Sequence, residues 1–375
     1  MSPRPASGTV TAIILAAGFS RRMGTAKPLL PLGGHTVVEQ VVSIYRDAGV
    51  ADIRVVVGAS AESVRSAVTR LPVACVANPT PEKGMFASVR TGVASVPPQA
   101  KAFFVHPVDI PLVRPHTLTT LLDAASAGPA LVFYPTFAGR RGHPPLIDCR
   151  LKSAVLGHDG RGGLRDLLNR FDDAAREVPV ADEGILLDMD TPADYQELAA
   201  RRHTGKILTK RECQALMRDV QKVPAAIDSH CRRVAQVAGR LAEAVNTRNG
   251  VLNVPLIRAA ARVHDCARLE NNHADVGARL LEAMGYPAMA AVVARHMDIQ
   301  AATDAELDEA QIVYLADKLV SGDTITDLSG RFAAKLETTA SGCRCRGQAS
   351  TPGCPGDPDQ GGTDCGQIRA GYIER

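Results

Sequence analysis

Leu15-Ala16-Ala17-Gly18-Phe19-Ser20-Arg21-Arg22-Met23-Gly24-Thr25-Ala26-Lys27-Pro28-Leu29-Leu30 begins on the last residue of the apolar run at 12–15. Four successive apolar residues without alternation read as a strand buried on both faces, the kind found in parallel sheets. The strand leads into a loop rich in glycine and cations. In an open α/β sheet ligands bind beyond the carboxyl ends of the strands, so this loop stands where a ligand would. Gly18 and Gly24 allow close backbone approach to a phosphate chain, and Arg22 and Lys27 offer charge against the build-up during phosphoryl transfer. The pattern suits a nucleoside triphosphate. It is neither the GxxxxGK[ST] phosphate loop nor the dinucleotide GxGxxG, and it also reads as an ordinary strand-to-loop turn with solvated basic residues.

Further short apolar runs at 53–57, 73–77, 102–105 and 131–134 alternate with helical patterns at 37–47 and 61–69. Alternation of this kind predicts a mostly parallel sheet covered by helices, a three-layer α/β domain. After Arg201 strands give way to amphipathic patterns at 210–219, 227–246, 256–266, 274–284, 288–297 and 308–319, which predict an all-α region. The expected division is 1–203, 204–338 and a tail at 339–375.

The 375 residues, 45% apolar and 22% charged, have ample material for two folded domains. A net charge of +3 gives no footprint for nucleic acid or an anionic membrane, and 8 Phe, 6 Tyr and no Trp disfavour base-stacking platforms. No apolar stretch approaches the ~20 residues that span a bilayer. With Cys75, Cys149, Cys213, Cys231 and Cys266 scattered singly through apolar segments, reduced thiols and a cytoplasmic location are expected.

The form LAAGxSxRMGxxK closely resembles the signature of the MobA/MocA-like nucleotidyltransferases. These activate a phosphorylated acceptor with a nucleoside triphosphate on a Rossmann-like α/β domain, and the resemblance extends over 10–200. It implies nucleotide contacts at Leu15, Ala16, Ala17, Gly18, Arg22 and Lys27, and again at Asn78, Gly84 and Ser88. His106-Pro107-Val108-Asp109-Ile110-Pro111 stands where the family has Gly-Asp-Met-Pro, placing Asp109 on the metal-binding aspartate and departing from the pattern at His106-Pro107. Gly139-Arg140-Arg141-Gly142-His143-Pro144 resembles the acceptor loop, so Arg141, Gly142 and His143 are acceptor candidates. Asp188-Met189-Asp190-Thr191-Pro192 resembles the closing Asp-x-Asp-Thr-Pro motif. Two carboxylates from distant strand ends, Asp109 and Asp190, suit Mg²⁺ against an α-phosphate, with Lys27, Arg22 and Asp109 as the catalytic set. Asp190-Thr191-Pro192 is equally a helix start, with capping by Asp or Thr and Pro in the first turn. Ala17, giving Ala-Ala-Gly where other members have Ala-Gly-Gly, goes with the branch that uses CTP and molybdopterin, whose product is passed to an apo molybdenum hydroxylase. A phospho-sugar or other phosphorylated metabolite is the alternative acceptor.

In the helical region His230, His264, His273 and His296 gather four of the ten histidines within 67 residues. His230 shares a helical face with Ile227, Val234 and Val237, and His264 with Ile257 and Ala260, so both imidazoles point inward. A buried imidazole needs a partner, and metal ligation supplies one. The order His230, His264-Asp265, Asp317 resembles the HD superfamily of metal-dependent phosphohydrolases over 210–337. That resemblance makes these four the metal ligands and His273 and His296 the extra ligands of the two-metal members, including the YqeK-like group. Imidazole with carboxylate suits one or two ions of Fe or Mn. His273 also reads as a helix start and His296 as a satisfied core histidine. Arg268 replaces a frequent lysine and Met297 a frequent histidine. A non-catalytic ligand sensor is the other reading of this domain. The dipeptide His158-Asp159 recurs in a Gly-rich loop without partners.

The stretch 341–375 holds eight Gly, three Pro and four Cys, too little apolar surface to fold alone. Cys343, Cys345, Cys354 and Cys365 lack paired C-x₂-C knuckles, so disorder is expected over a zinc ribbon.

Overall fold

The structure is a computed structural model that describes residues 10–19, 23, 25–58, 60–248, 251–297 and 307–326. The expectations for the Cys-containing tail lie outside these residues.

Strands and helices come in the order β1 (Val10–Ala16), β2 (Pro31–Leu32), β3 (His35–Thr36), α1 (Val37–Asp47), β4 (Asp52–Val57), α2 (Ala61–Val68), β5 (Ala74–Ala77), α3 (Met85–Ser95), β6 (Ala102–Pro107) and α4 (Pro115–Ala127). They continue with β7 (Val132–Phe137), β8 (Arg140–Arg141), β9 (Leu146–Asp148), α5 (Lys152–Gly157), α6 (Gly163–Asn169), β10 (Ala175–Pro179) and α7 (Pro192–Thr204). An eight-stranded sheet runs β10-β7-β9-β6-β1-β4-β5, with β8 against β7. The strands β4, β1 and β6 are parallel, as are β10 and β7, while β9 runs antiparallel to both β6 and β7. The five expected strands are present and the sheet is mixed α/β, but β8, β9 and β10 were not foreseen. Two of these are three residues or shorter, below the length at which a hydrophobic period can be recognised.

Every residue of β1 is buried. Its side chains alternate between two cores, as period 2 requires. Ala12, Ile14 and Ala16 pack with α1, α2 and α4, and Ile13 and Leu15 with α3, α5 and α6. This is the three-layer arrangement. Helix α1 starts with a capping box in which Thr36 accepts from the Glu39 amide and the Glu39 carboxylate accepts from the Thr36 amide.

Downstream, α8 (Lys210–Ala215) runs on through a wider π turn at Leu216–Val220. Beyond it come α9 (Ala225–Asn246), α10 (Val254–Val263), α11 (His273–Ala283), α12 (Pro287–Ala294) and α13 (Glu309–Leu319). Among the described residues the helical region carries only one short hairpin, Val320–Ser321 with Thr324–Ile325. Its apolar core is continuous with the α1/α4 side of the sheet domain. At that junction the Arg114 guanidinium donates to Glu212 at 2.9 Å and lies 4.7 Å from the Tyr286 ring centre. Its backbone N–H donates to buried Asp182 at 2.8 Å, and Glu183 receives Arg201 at 2.9 Å and also Arg211. Cys213, Cys231 and Cys266 are buried free thiols, and Cys75 and Cys149 are half-buried ones.

Candidate functional sites at a strand-end cleft and a histidine cluster

Because β1 and β6 are parallel neighbours, the segments leaving their carboxyl ends emerge side by side. The Val108 amide donates to the Leu15 carbonyl at 3.2 Å, and the Met189 amide to the Asp109 carbonyl at 2.9 Å. Residues 109 and 190, 81 positions apart in the chain, are thereby joined to the β1 loop. Lys27, on the single turn Lys27–Leu29, donates to Asp190 Oδ1 at 2.8 Å and to Asp109 Oδ2 at 3.4 Å. A cleft of about 380 Å³ opens here. Leu15, Ala17, Gly18, Lys27, Gly84, Ser88, Asp109 and Asp190 line it. Ala16 is paired within the sheet, and Asn78 stands behind the lining, where its amide donates to Ser88 Oγ at 3.0 Å. Arg22 lies outside the described residues. Gly84 has φ +89° just before α3, a conformation that costs a side chain strain and that glycine adopts freely.

Burial disfavours the charge on Lys27, but hydrogen bonding and attraction from Asp190 and Asp109 outweigh it and raise its pKa. Asp109 is also raised, because burial exceeds what Lys27 returns. A partly buried carboxylate whose cation does not compensate its desolvation has capacity for a further cation, and a pair of hard oxygen donors suits Mg²⁺. The helix-start reading of Asp190-Thr191-Pro192 is the one seen. Thr191 is the N-cap of α7, exchanging hydrogen bonds with Asp194, and Pro192 occupies the first turn, which leaves the Asp190 side chain on Lys27. Asp188 is exposed, separated from Asp190 by buried Met189.

His106, the departure from the family pattern, points away from the cleft chemistry. It is wholly buried, with Nδ1 3.0 Å from the Tyr45 hydroxyl and Nε2 2.9 Å from the Ile110 carbonyl. A carbonyl only accepts, so Nε2 carries the proton and Nδ1 accepts from Tyr45. Burial pushes its pKa down to about 3. The unfolded chain therefore binds a proton that the folded chain refuses between about pH 6.5 and pH 3. Stability is full above this window and falls as pH drops through it, by up to about 1.4 kcal/mol per pH unit from this group. Urea midpoints at pH 7, 6 and 5 are expected to show that slope, and His106→Gln to flatten it; equal slopes in both proteins would remove His106 as the cause.

The acceptor candidates divide. Gly142 and His143 are held by backbone bonds to the Pro135 and Ile185 carbonyls, at 2.8 and 2.9 Å. His143 Nδ1 is buried with no hydrogen-bond partner among the described residues. Burial lowers the His143 pKa although the carboxylates of Asp109 and Asp188 oppose it. Arg141 is instead tied to Asp172 at 2.7 Å and Glu177 at 2.8 Å, over the Tyr134 ring.

The histidine cluster is assembled from five helical segments. His230 comes from α9 and Asp317 from α13, while His264-Asp265 succeed α10, His273 opens α11 and His296 lies just past α12. His230 Nε2 is 3.0 Å from Asp317 Oδ1, and His264 Nε2 is 3.6 Å from both Asp317 Oδ1 and Asp265 Oδ2. His273 Nε2 and His296 Nε2 are 3.2 and 3.4 Å from Asp265 Oδ1. Two three-ligand groups result, His230–His264–Asp265 and Asp265–His273–His296, sharing Asp265. The Nδ1 atoms of His230, His264 and His296 face the carbonyls of Gly322, Ala261 and Val293 at 2.9, 2.8 and 2.6 Å. Each Nδ1 must donate there, so each ring presents Nε2 to the common centre, the orientation that ligating imidazoles adopt.

His264 Nε2, Asp265 Oδ1 and His296 Nε2 are buried without a hydrogen-bond partner among the described residues. Three such atoms in one place would carry a large desolvation cost, which divalent metal ligation removes. Burial alone would raise Asp265 and Asp317; the imidazoles that face them, His296 and His264 at the first and His230 and His264 at the second, outweigh it, lowering Asp265 to about 2 and holding Asp317 well below the usual range. Arg268 donates to His273 Nε2 at 3.0 Å, and Lys318, which sequence reading missed, donates to Asp317 Oδ2 at 2.7 Å. Its only signal was adjacency to Asp317. His158, by contrast, sits in its Gly-rich loop accepting from the Gly160 amide at 3.0 Å.

A parallel-strand cleft with lysine and paired aspartates, joined in the chain to a helical histidine–aspartate cluster, defines a nucleotidyltransferase-type domain with a metal-site helical domain. A MobA-like NTP transferase domain matches residues 12–176 and an HD domain matches 227–322. Nicotine blue oxidoreductase of Paenarthrobacter nicotinovorans is 30% identical over 191 residues, covering 48% of this chain and 92% of that protein. The chain belongs to the MobA-like NTP transferase family and carries an HD domain besides. Bifunctional protein GlmU of Alkalilimnicola ehrlichii is 31% identical over 182 residues, covering 46% of this chain and 36% of that protein. Among solved structures, Rv0371c of Mycobacterium tuberculosis H37Rv is similar at 30% identity and a TM-score of 0.46, over 51% of this chain and 98% of that one. No helix among the described residues is long and apolar enough to cross a membrane.

Proposed function

We propose that residues 1–203 transfer a nucleoside monophosphate, CMP from CTP, to a phosphorylated acceptor, molybdopterin, with release of pyrophosphate, and that residues 204–338 form a metal-dependent phosphohydrolase, both acting in the cytoplasm. The observation that carries the transferase reading is the convergence of Lys27, Asp109 and Asp190 at the carboxyl ends of β1 and β6. An acceptor phosphate oxygen forms the new bond to the α-phosphorus as the bond to pyrophosphate breaks. Lys27 bears on the charge that develops, and the backbone at Ala17 and Gly18 cradles the phosphate chain. Asp109 and Asp190 are the residues that would hold Mg²⁺, which supplies charge neutralisation at the phosphate oxygens. Gly84 and Ser88, steadied by Asn78, bound the nucleoside end of the cleft, and Gly142 and His143 are the residues assigned to the acceptor. Arg141, with its charge already compensated, contributes to the shape of that loop rather than to its charge.

In the helical domain the two ligand groups sharing Asp265 suit one or two ions of Fe or Mn, which supply Lewis acidity toward a phosphate ester or anhydride. Arg268 and Lys318 place positive charge at its edge.

The deciding experiment offers CTP, GTP, ATP and UTP with Mg²⁺, each with and without molybdopterin, and measures pyrophosphate. Release with CTP that depends on the pterin is expected. Equal turnover of GTP, or release only with a phosphorylated sugar, would overturn the substrate assignment. Absence of any nucleotide-dependent pyrophosphate release would overturn the transferase reading itself.

A further inference from the structure

On the far side of α9 and α10 from the histidine cluster lies a cleft of about 810 Å³, formed by α8, the π turn and those two helices. Helical periodicity separates the two. Arg232 and Glu243 project from the face of α9 opposite His230, and Arg262 from the face of α10 opposite His264. Lys210, Arg218, Arg232, Arg240, Arg258 and Arg262 all line this cleft, against a single lining carboxylate, Glu243. Glu243 is taken up by Arg258 at 2.7 Å. Leu208, Cys213, Ala235 and Ala259 give the cleft apolar walls.

The cations are organised from beneath. Asp228, buried, receives Arg218 at 2.9 Å, Arg232 at 2.7 Å and Arg262, so one carboxylate aligns three guanidinium groups and leaves them in charge excess. Arg262 is 12% exposed, and its Nη1 is buried with no hydrogen-bond partner among the described residues. A buried guanidinium donor left over after its carboxylate is satisfied asks for an acceptor from outside the chain. At Gly239 a Cβ would stand 2.2 Å from Arg258 Nε, so the glycine leaves room for that side chain against α9.

We propose that this cleft binds a polyphosphate group, carried by a nucleotide or free. Several pre-aligned guanidinium forks match successive phosphates, and the volume is that of a small-molecule site. A net chain charge of only +3 argues against an extended polyanion and for a local ligand.

Titration calorimetry on the full chain in EDTA tests it, in a Lys27→Ala background so that the cleft at β1 does not contribute. Inorganic tripolyphosphate is the first probe and CTP and ATP the second. One binding event is expected, weakening as salt rises, and about tenfold or more weaker in Arg232→Gln/Arg240→Gln. Both side chains are exposed, so that variant keeps its fold, and an unchanged melting temperature verifies this. Nucleotides binding tighter than tripolyphosphate would identify a nucleotide ligand; equal affinity would identify the phosphate chain alone. Unaltered affinity in the double variant, no heat with any probe, or equal affinity for sulfate would overturn the proposal.

Discussion

Replacing Lys27 with alanine is expected to lower the rate of pyrophosphate release by about 10²–10³-fold, the loss typical of removing one preorganised charge from a transferring phosphate. Lys27 is the centre of its site, 2.8 Å from Asp190 and 3.4 Å from Asp109. Its removal leaves two neighbouring carboxylates without their common cation, so the Asp109 pKa should rise further and the Mg²⁺ requirement should change with it. Asp109→Asn is expected to fall as far and to raise the Mg²⁺ concentration needed for half-maximal rate. Asp188→Ala serves as the comparison, because Asp188 is exposed where Asp190 faces Lys27. Steady-state pyrophosphate assays over a Mg²⁺ series measure all three. A Lys27→Ala enzyme within about fivefold of wild type would dismiss the triad as the reacting centre.

The second large effect concerns Asp265. Shared by both ligand groups and contacted by His264, His273 and His296, it is the residue whose loss dismantles the cluster. Asp265→Ala, purified as the full chain, is expected to lose essentially all Fe or Mn by elemental analysis, while wild type retains one or two ions. Metal present at 100–1,000 times its dissociation constant stabilises a fold by about 3–4 kcal/mol, so chelation should lower the melting temperature of wild type and leave the variant unmoved. A phosphatase activity that disappears with the metal identifies the domain as a hydrolase. If metal loss alters only transferase kinetics, the domain is a sensor, and an Asp265→Ala protein with undiminished metal would reject the cluster as its site.

Much of this was legible before any coordinates. The unbroken apolar run before Gly18 announced a two-faced strand, and β1 is buried at every position. The inward histidines came directly from helical period. Illegible were the features that depend on through-space company. The run 146–148 gives no period of its own, and it enters the sheet as β9 only because β6 and β7 leave a place between them. His106 looked like a disturbance of the active loop, yet Tyr45, 61 positions away, makes it a buried brace. The arginine cleft was invisible because its six cations are dispersed over 210–262 among residues of ordinary composition.

The order of residues along the chain thus settled the elements and the chemistry available at their ends, because periodicity and strand-end motifs are local properties. Which groups meet was settled by packing alone: Asp190 on Lys27 rather than on its own helix cap, Asp265 between two histidine sets, and Asp228 beneath three arginines. Charges and hydrogen bonds act over a few ångströms, and only the packed fold brings residues tens of positions apart within that range.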